Sequence, residues 1–230
     1  MASRAADRYT IDLSRISLEK FRSSLERRPL VPSRRLLKEK AGERFDRLQR
    51  TGIQTMAELV SSLASKNKLE TVARETGIDS QYLILLKREA GSYKAAPVRL
   101  DAFPGISTAD CDGLTRLGIT NTKQLFNAVA AGQPRSALAA RAGLAESRLD
   151  ELVSLSDLCR LYGVGPAFAR LLYDIGITSV EEMKSRTSGE IVQIYERETG
   201  KKADFAASDI DFTLELAAEL EEAEDSDRPP

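Results

Sequence analysis

The sequence predicts an all-α protein built from many short helices. Apolar residues recur three and four positions apart, as at Leu37, Ala41, Phe45 and Leu48, which is the spacing of one helix face. No stretch alternates apolar and polar residues as a half-buried strand does. Glycine and proline divide the chain into short segments, which favours many short helices over a few long ones.

The composition allows a packed core and excludes most enzyme chemistry. Of 230 residues, 42% are hydrophobic and 30% are charged, which suits one large domain or two to three small ones. The chain has no histidine, so histidine-dependent nucleophiles, acid–base groups and metal sites are excluded. Two cysteines, Cys111 and Cys159, are too few for a four-thiolate metal site. We therefore expect no catalytic activity, metal, cofactor or small-molecule substrate.

Targeting signals are not recognisable in the sequence. No run reaches the roughly 18–20 apolar residues that span a bilayer, and the first ten residues contain no apolar signal core. We expect a cytoplasmic protein with no membrane contact. In a reducing compartment, Cys111 and Cys159 are expected to be buried small hydrophobic residues.

Charge is distributed unevenly along the chain. Residues 1–100 contain 21 Lys and Arg against 12 Asp and Glu, whereas residues 151–230 contain 8 against 18. Residues 101–150 are balanced, at five of each sign. This asymmetry is typical of a polyanion-binding end or of electrostatic contact between the two ends. Two solvated surfaces of different composition explain it equally well.

A glycine followed by isoleucine recurs at three positions, and each pair precedes a polar run that enters a helix. The pairs are Gly52-Ile53, Gly118-Ile119 and Gly176-Ile177, separated by 66 and 58 residues. We expect a helix to end in a left-handed glycine and a Thr, Asn or Ser to cap the next helix. The spacing predicts about three copies of one unit of roughly 60 residues.

The repeats suggest five segments. The first segment contains a short basic amphipathic helix with Leu18, Phe21 and Leu25 on its apolar face. The last segment is acidic and is expected to be disordered. The segments are an N-terminal basic amphipathic stretch (1–30), a degenerate first helical repeat (31–97), a second repeat (98–154), a third repeat (155–220) and an acidic tail (221–230).

Each later Gly-Ile pair follows a predicted hairpin between two helices. In the third copy, Gly163-Val164-Gly165 allows a tight turn with Val164 directed into the helix interface, and Pro166 suits the first helical turn. The backbone amides at that helix start can hold a phosphate. In the second copy, Pro104-Gly105-Ile106-Ser107 has Ser in place of the last glycine. The first copy aligns at Glu39-Lys40-Ala41, lacks glycine and is expected to be only a helix.

These turns resemble the helix-hairpin-helix motif of SAM-like folds. The order of copies over residues 30–220 is similar to bacterial proteins of the domain-of-unknown-function 4332 family. That family has no settled function, so the resemblance implies the fold. Helix-hairpin-helix proteins in general bind DNA without sequence preference, which implies a role for the hairpin amides and a following cation. The shared motifs are Pro32-Ser33-Arg34-Arg35-Leu36-Leu37, Phe103-Pro104-Gly105 and Lys202-Ala203-Asp204-Phe205.

The hairpins depart from the DNA-binding pattern of that motif. Pro166, Ala167 and Phe168 follow the third hairpin, and its first nearby cation is Arg170. Asp110 and Asp112 follow the second hairpin, where negative charge repels phosphate. The hairpin glycines therefore serve either phosphate binding or close helix packing.

A second candidate for nucleic-acid binding lies in residues 34–50. Helical geometry predicts that Lys40, Arg44 and Arg47 form one basic ridge, with Arg34 and Arg35 preceding it. Two four-residue pairs, Glu43–Arg47 and Asp46–Arg50, favour a salt-bridged surface instead.

The sequence predicts a non-catalytic module that binds nucleic acid through its basic N-terminal half and the third hairpin. The alternative is a protein-interaction or scaffold module that self-associates or binds a partner of complementary charge.

Overall fold

The computed structural model describes residues 7–205 and 207–220, and within these residues it contains helices, turns and irregular segments but no β-strand. Thirteen α-helices and two 3₁₀ helices confirm the predicted all-α class. Two isolated antiparallel bridges, Ser17–Thr55 and Arg99–Asn121, are the only β-type pairings in that part of the chain. The predicted acidic tail at 221–230 lies outside the described residues.

The chain divides into two compact units that differ in charge. We call Asp12–Tyr93 the basic unit, because its 17 Lys and Arg against 11 Asp and Glu give a net charge of +6. The other unit combines residues 7–11 with residues 94–220. We call it the acidic unit, because its described residues carry 15 basic and 19 acidic side chains, a net charge of −4.

The basic unit surrounds an aromatic core. The ring of Phe21 lies 5.8 Å from that of Phe45 and 5.3 Å from that of Tyr93, measured between centroids. Leu18 and Leu25 are also buried, so the predicted N-terminal amphipathic helix is confirmed as α1. The helices are α1 Leu18–Arg27, a 3₁₀ helix Pro32–Lys38, α2 Ala41–Arg50, α3 Met56–Ser62, α4 Lys66–Thr76 and α5 Ser80–Ser92.

The acidic unit contains the two predicted glycine hairpins and the remaining helices. Near its end, Phe205 packs edge-on against both Phe168 and Tyr195, at 5.3 and 5.2 Å between ring centroids. Cys111 and Cys159 are buried free thiols, as expected. The helices are a 3₁₀ helix Leu100–Ala102, α6 Thr108–Arg116, α7 Thr122–Ala130, α8 Arg135–Ala142, α9 Glu146–Leu158, α10 Pro166–Asp174, α11 Val180–Lys184, α12 Ser188–Thr199 and α13 Ala207–Ala217.

The three Gly-Ile junctions share one local geometry. Gly52, Gly118 and Gly176 have φ values of 89°, 79° and 83°, a left-handed conformation that glycine adopts without steric cost. At each junction the isoleucine N–H donates to the carbonyl of a leucine five residues earlier, at 3.4, 2.9 and 2.9 Å. The next helix is capped by the side chain of Thr55, Asn121 or Ser179. The number of repeats and their boundaries remain predictions.

The expectation that the first copy is only a helix is wrong. Lys40 has φ 49° and is the one non-glycine residue with positive φ among the described residues, so the chain turns there between the 3₁₀ helix and α2. Leu37 and Ala41 are buried on either side of the turn. The Tyr82 hydroxyl donates to the Leu37 carbonyl at 3.1 Å, which satisfies an acceptor that the helix break leaves open.

Candidate nucleic-acid interface

The third hairpin has the geometry expected from its glycines. Gly163 has φ 76°, and the Val164 N–H donates to the Leu161 carbonyl at 3.2 Å to close the turn. The Val164 side chain is buried. Gly165 precedes α10, which begins at Pro166 and has no side-chain cap.

The cation nearest that hairpin is ion-paired within the acidic unit. The Arg170 guanidinium contacts the carboxylates of Glu151 on α9 and, at 3.0 Å, of Asp174 on α10. It also lies 4.8 Å from the centroid of the Tyr173 ring. Burial lowers the pKa of Arg170, but the two carboxylates outweigh it, so the net shift is upward. Two acidic partners leave little positive charge for a phosphate.

The second hairpin already binds an anion, which is the carboxylate of its own Asp110. Gly105 has φ 79° and Ile106 is buried, whereas Pro104 is exposed. The Ser107 N–H and hydroxyl donate to Asp110 Oδ2 at 2.8 and 2.7 Å, and the Asp110 N–H donates back to Ser107 Oγ. These hydrogen bonds lower the pKa of Asp110. The carboxylate thus already satisfies the Ser107 N–H and places a negative charge at this helix start, which disfavours a phosphate.

A chain of alternating charges connects the two hairpins. Arg148 on α9 lies 3.6 Å from Asp110 and 2.6 Å from Glu151, and Glu151 in turn contacts Arg170. The roles of Arg148 and Glu151 were not predicted, since Asp110 and Arg170, which they contact, lie on other helices. Side chains near both hairpins are therefore engaged in holding α6, α9 and α10 together.

Of the predicted basic ridge, Arg44 and Arg47 lie on α2, whereas Lys40 precedes the helix in the left-handed turn. Arg44 lies 4.1 Å from the centroid of the Tyr82 ring, and it donates to the Glu39 carbonyl at 2.8 Å. Arg47 forms the predicted ion pair with Glu43. It also donates to the Thr76 carbonyl at the end of α4, at 3.4 Å. Arg44 and Arg47 thus stabilise the basic unit itself.

Arg34 belongs to a buried ion cluster that sequence reasoning missed. Glu89 on α5 is only 4% exposed. Its carboxylate forms an ion pair with Arg28 and lies 3.7 Å from Arg34 Nε. Arg34 also donates to the Leu85 carbonyl at 3.0 Å. The sequence signal for this cluster was Glu89 itself, which falls among the apolar residues on one face of α5. A carboxylate buried there requires a cationic partner.

Exposed cations remain around the turn that precedes α2. We call residues 35–40 the basic turn, because Arg35, Lys38 and Lys40 are exposed there beside a single acid, Glu39. None of the three cations makes an ion pair with a residue that the structure describes. Lys38 Nζ donates only to the Glu26 carbonyl, at 3.0 Å, which leaves its charge uncompensated. Four other exposed cations of the basic unit make no ion pair with the described residues: Arg50, Lys68, Arg74 and Arg88.

Comparison with known proteins supports the predicted resemblance over one part of the chain. The family model described as a domain of unknown function (DUF4332) matches residues 104–211. The match begins in the second hairpin and ends within α13, and the Pro32–Leu37 motif lies outside it. No curated protein and no solved structure matches the chain significantly.

The part of the chain that the structure describes contains neither a metal-binding cluster nor a membrane-spanning helix. No group of three or more His, Cys, Asp and Glu side chains is placed to hold a metal ion there. Among the helices in those same ranges, none has the length and apolar character needed to cross a membrane.

Proposed function

We propose that the protein is a non-catalytic module whose basic unit binds nucleic acid without sequence preference. The observation that carries the proposal is the basic turn, in which Arg35, Lys38 and Lys40 are exposed and form no ion pair within residues 7–205 and 207–220. The unit around it carries a net charge of +6. Each cation that meets a phosphate releases a counterion, so affinity arises from charge and falls with salt.

The two glycine hairpins act mainly as packing units in this proposal. Asp110 already accepts the hydrogen bonds at the second hairpin, and Arg170 is paired with two acids beside the third. At most, the uncapped start of α10 adds backbone contacts to a phosphate, through Gly163, Val164 and Gly165. The basic turn therefore supplies the charge that sequence-independent binding requires.

The proposal places the protein in the cytoplasm. Both cysteines are free and buried, as expected in a reducing compartment. Burial also raises the pKa of the Cys159 thiol to about 12, so this cysteine is unreactive at neutral pH.

Fluorescence anisotropy across a salt series tests the basic turn. Duplex and single-stranded DNA of unrelated sequences are titrated with the full chain and with Arg35→Ala/Lys40→Ala. Binding by the double variant should weaken for every sequence. The slope of log Kobs against log salt should become shallower by about 2, one for each lost phosphate contact.

The matched control is Lys201→Ala/Lys202→Ala, which removes the same charge from exposed positions in the acidic unit. This control should bind DNA almost as the unmodified chain does. Equal loss in both double variants would mean that only net charge matters, and it would contradict a role for the basic turn. No binding at low salt would contradict the whole proposal.

A protein-interaction or scaffold module is the second candidate function. Two observations favour it: the opposite net charges of the two units, and Val31, which at 62% exposure is the one exposed large hydrophobic residue in the described ranges. An exposed apolar side chain beside cations suits an acidic protein partner. DNA binding that is absent at low salt, combined with a particle mass that rises with concentration in light scattering, would favour this function.

A further inference from the structure

Residues 7–11 form a short segment that is packed into the acidic unit. Tyr9 is completely buried and Ile11 is 2% exposed. The Tyr9 ring meets Phe126 of α7 edge-on, at 5.7 Å between centroids, and its hydroxyl lies 2.6 Å from the buried Thr122 hydroxyl. Asp7 forms an ion pair of 2.6 Å with Lys123. Three residues of α7 thus contact this segment: Phe126 packs against the Tyr9 ring, Thr122 bonds its hydroxyl, and Lys123 pairs with Asp7.

Arg160 binds the backbone of the same segment. Its guanidinium is 2% exposed and donates to the carbonyls of Arg8 and Tyr9, at 3.0 and 3.4 Å. Asp157 balances its charge at 2.6 Å, and the Phe126 ring lies 4.3 Å from it. A buried guanidinium needs such acceptors, because leaving its N–H groups unsatisfied is costly. The segment therefore completes a built binding surface, which we call the segment site.

The chain leaves the segment site through a very short hinge. Ile11 is the last residue grouped with the acidic unit, and Leu13 is already buried in the basic unit. Between them lies Asp12, whose side chain and backbone carbonyl accept hydrogen bonds from Ser14 and Arg15. At this crossing, one exposed residue in a hydrogen-bonded turn connects the two units, and the chain crosses a second time between Tyr93 and Lys94. Short, constrained hinges of this kind favour exchange of the attached segment between chains.

We propose that the segment site accepts residues 7–11 of a second copy of this chain, so that two copies associate by exchanging these segments. Every contact at the segment site is the same in the exchanged form, so the two forms differ in the conformation of the chain where it crosses between the units and in the entropy of association. The equilibrium consequently depends on protein concentration and on hinge length.

Zero-length cross-linking tests the exchange directly. A carbodiimide joins the Asp7 carboxylate to the Lys123 amine only when the two are in contact, as they are at 2.6 Å. Full-length chains with natural and heavy nitrogen are mixed in equal amounts, incubated over a concentration series and cross-linked. Linked peptides that contain one light and one heavy partner report exchange. While exchanged pairs are the minority, their share should rise about tenfold for a tenfold rise in concentration.

Two variants complete the design. Lys123→Met removes the reactive amine and should abolish the linked peptide whatever the oligomeric state. Inserting Gly-Ser-Gly-Ser after Asp12 relaxes the hinge and should lower the mixed-isotope share by about tenfold, while the single-isotope link persists. Links confined to one isotope at every concentration, or no link at all, would overturn the proposal. A dimer in light scattering that yields no mixed-isotope link would overturn it as well, because it would use another surface.

Discussion

Lys40 shows how one residue can have opposite effects on stability and on binding. Its left-handed conformation, at φ 49°, is unfavourable for a residue with a Cβ, by about 1–3 kcal/mol. The same conformation leaves its ammonium group exposed beside Arg35 and Lys38. Glycine would adopt this conformation without strain. The presence of lysine here is therefore expected if its charge is needed for binding.

Replacing Lys40 by glycine should separate the two effects. Lys40→Gly relieves the backbone strain but adds entropy to the unfolded chain, so the free energy of unfolding should rise by up to about 1 kcal/mol. DNA affinity should fall as much as in Lys40→Ala, which keeps the strain and loses the same charge. Urea unfolding and anisotropy measure both quantities. If Lys40→Gly lowered stability by more than about 1 kcal/mol, the side chain would have a structural role that its exposure does not suggest.

Local caps and turns could be predicted from the sequence, whereas side-chain partners far apart in the chain could not. The cap at Thr55 and the turn at Gly163 are local features, set by neighbouring residues, and both were predicted. The partners of Arg34 and Arg160 were not predicted, because Glu89 and the carbonyl of Arg8 lie 55 and 152 residues away in sequence. The repeat alignment pointed to the position of the turn at Lys40, but the turn itself was not predicted, since lysine seldom adopts a left-handed conformation.

At the scale of helices, Gly113 determines how closely α6 and α8 approach. A Cβ built on Gly113 would collide with the backbone carbonyl of Ala142, which ends α8. Backbone atoms cannot rotate away as a flexible side chain can, so the two helices would have to separate. The repeat pattern did not identify this glycine, because the neighbour that demands it comes from a distant helix.

Gly113→Ala should therefore destabilise the acidic unit by more than about 2 kcal/mol through overpacking. The matched control is Gly189→Ala in α12, where an added Cβ meets nothing within 4 Å. Alanine is the better helix former, so this control should stabilise the protein by about 0.5–1 kcal/mol. Thermal and urea unfolding of both variants provide the comparison. Equal stability of the two variants would contradict the close approach of α6 to α8.

At the scale of the whole molecule, the glycine hairpins and the exposed cations of the basic turn lie in different units. The hairpins that resemble DNA-binding motifs lie in the unit with net charge −4. Ser107 of the second hairpin binds Asp110, and Arg170, beside the third, contacts Glu151 and Asp174. The exposed cations without ion pairs at the basic turn lie in the unit with net charge +6. The composition predicted this asymmetry, whereas the location of the free cations depended on non-local ion pairs.

Hydrogen–deuterium exchange with and without saturating duplex DNA tests the central claim most directly, because it maps contacts along the full chain. We expect DNA to slow exchange in peptides that cover residues 35–41 and to leave peptides that cover residues 163–169 unchanged. Protection restricted to residues 163–169, with none at residues 35–41, would contradict the account and assign binding to the third hairpin.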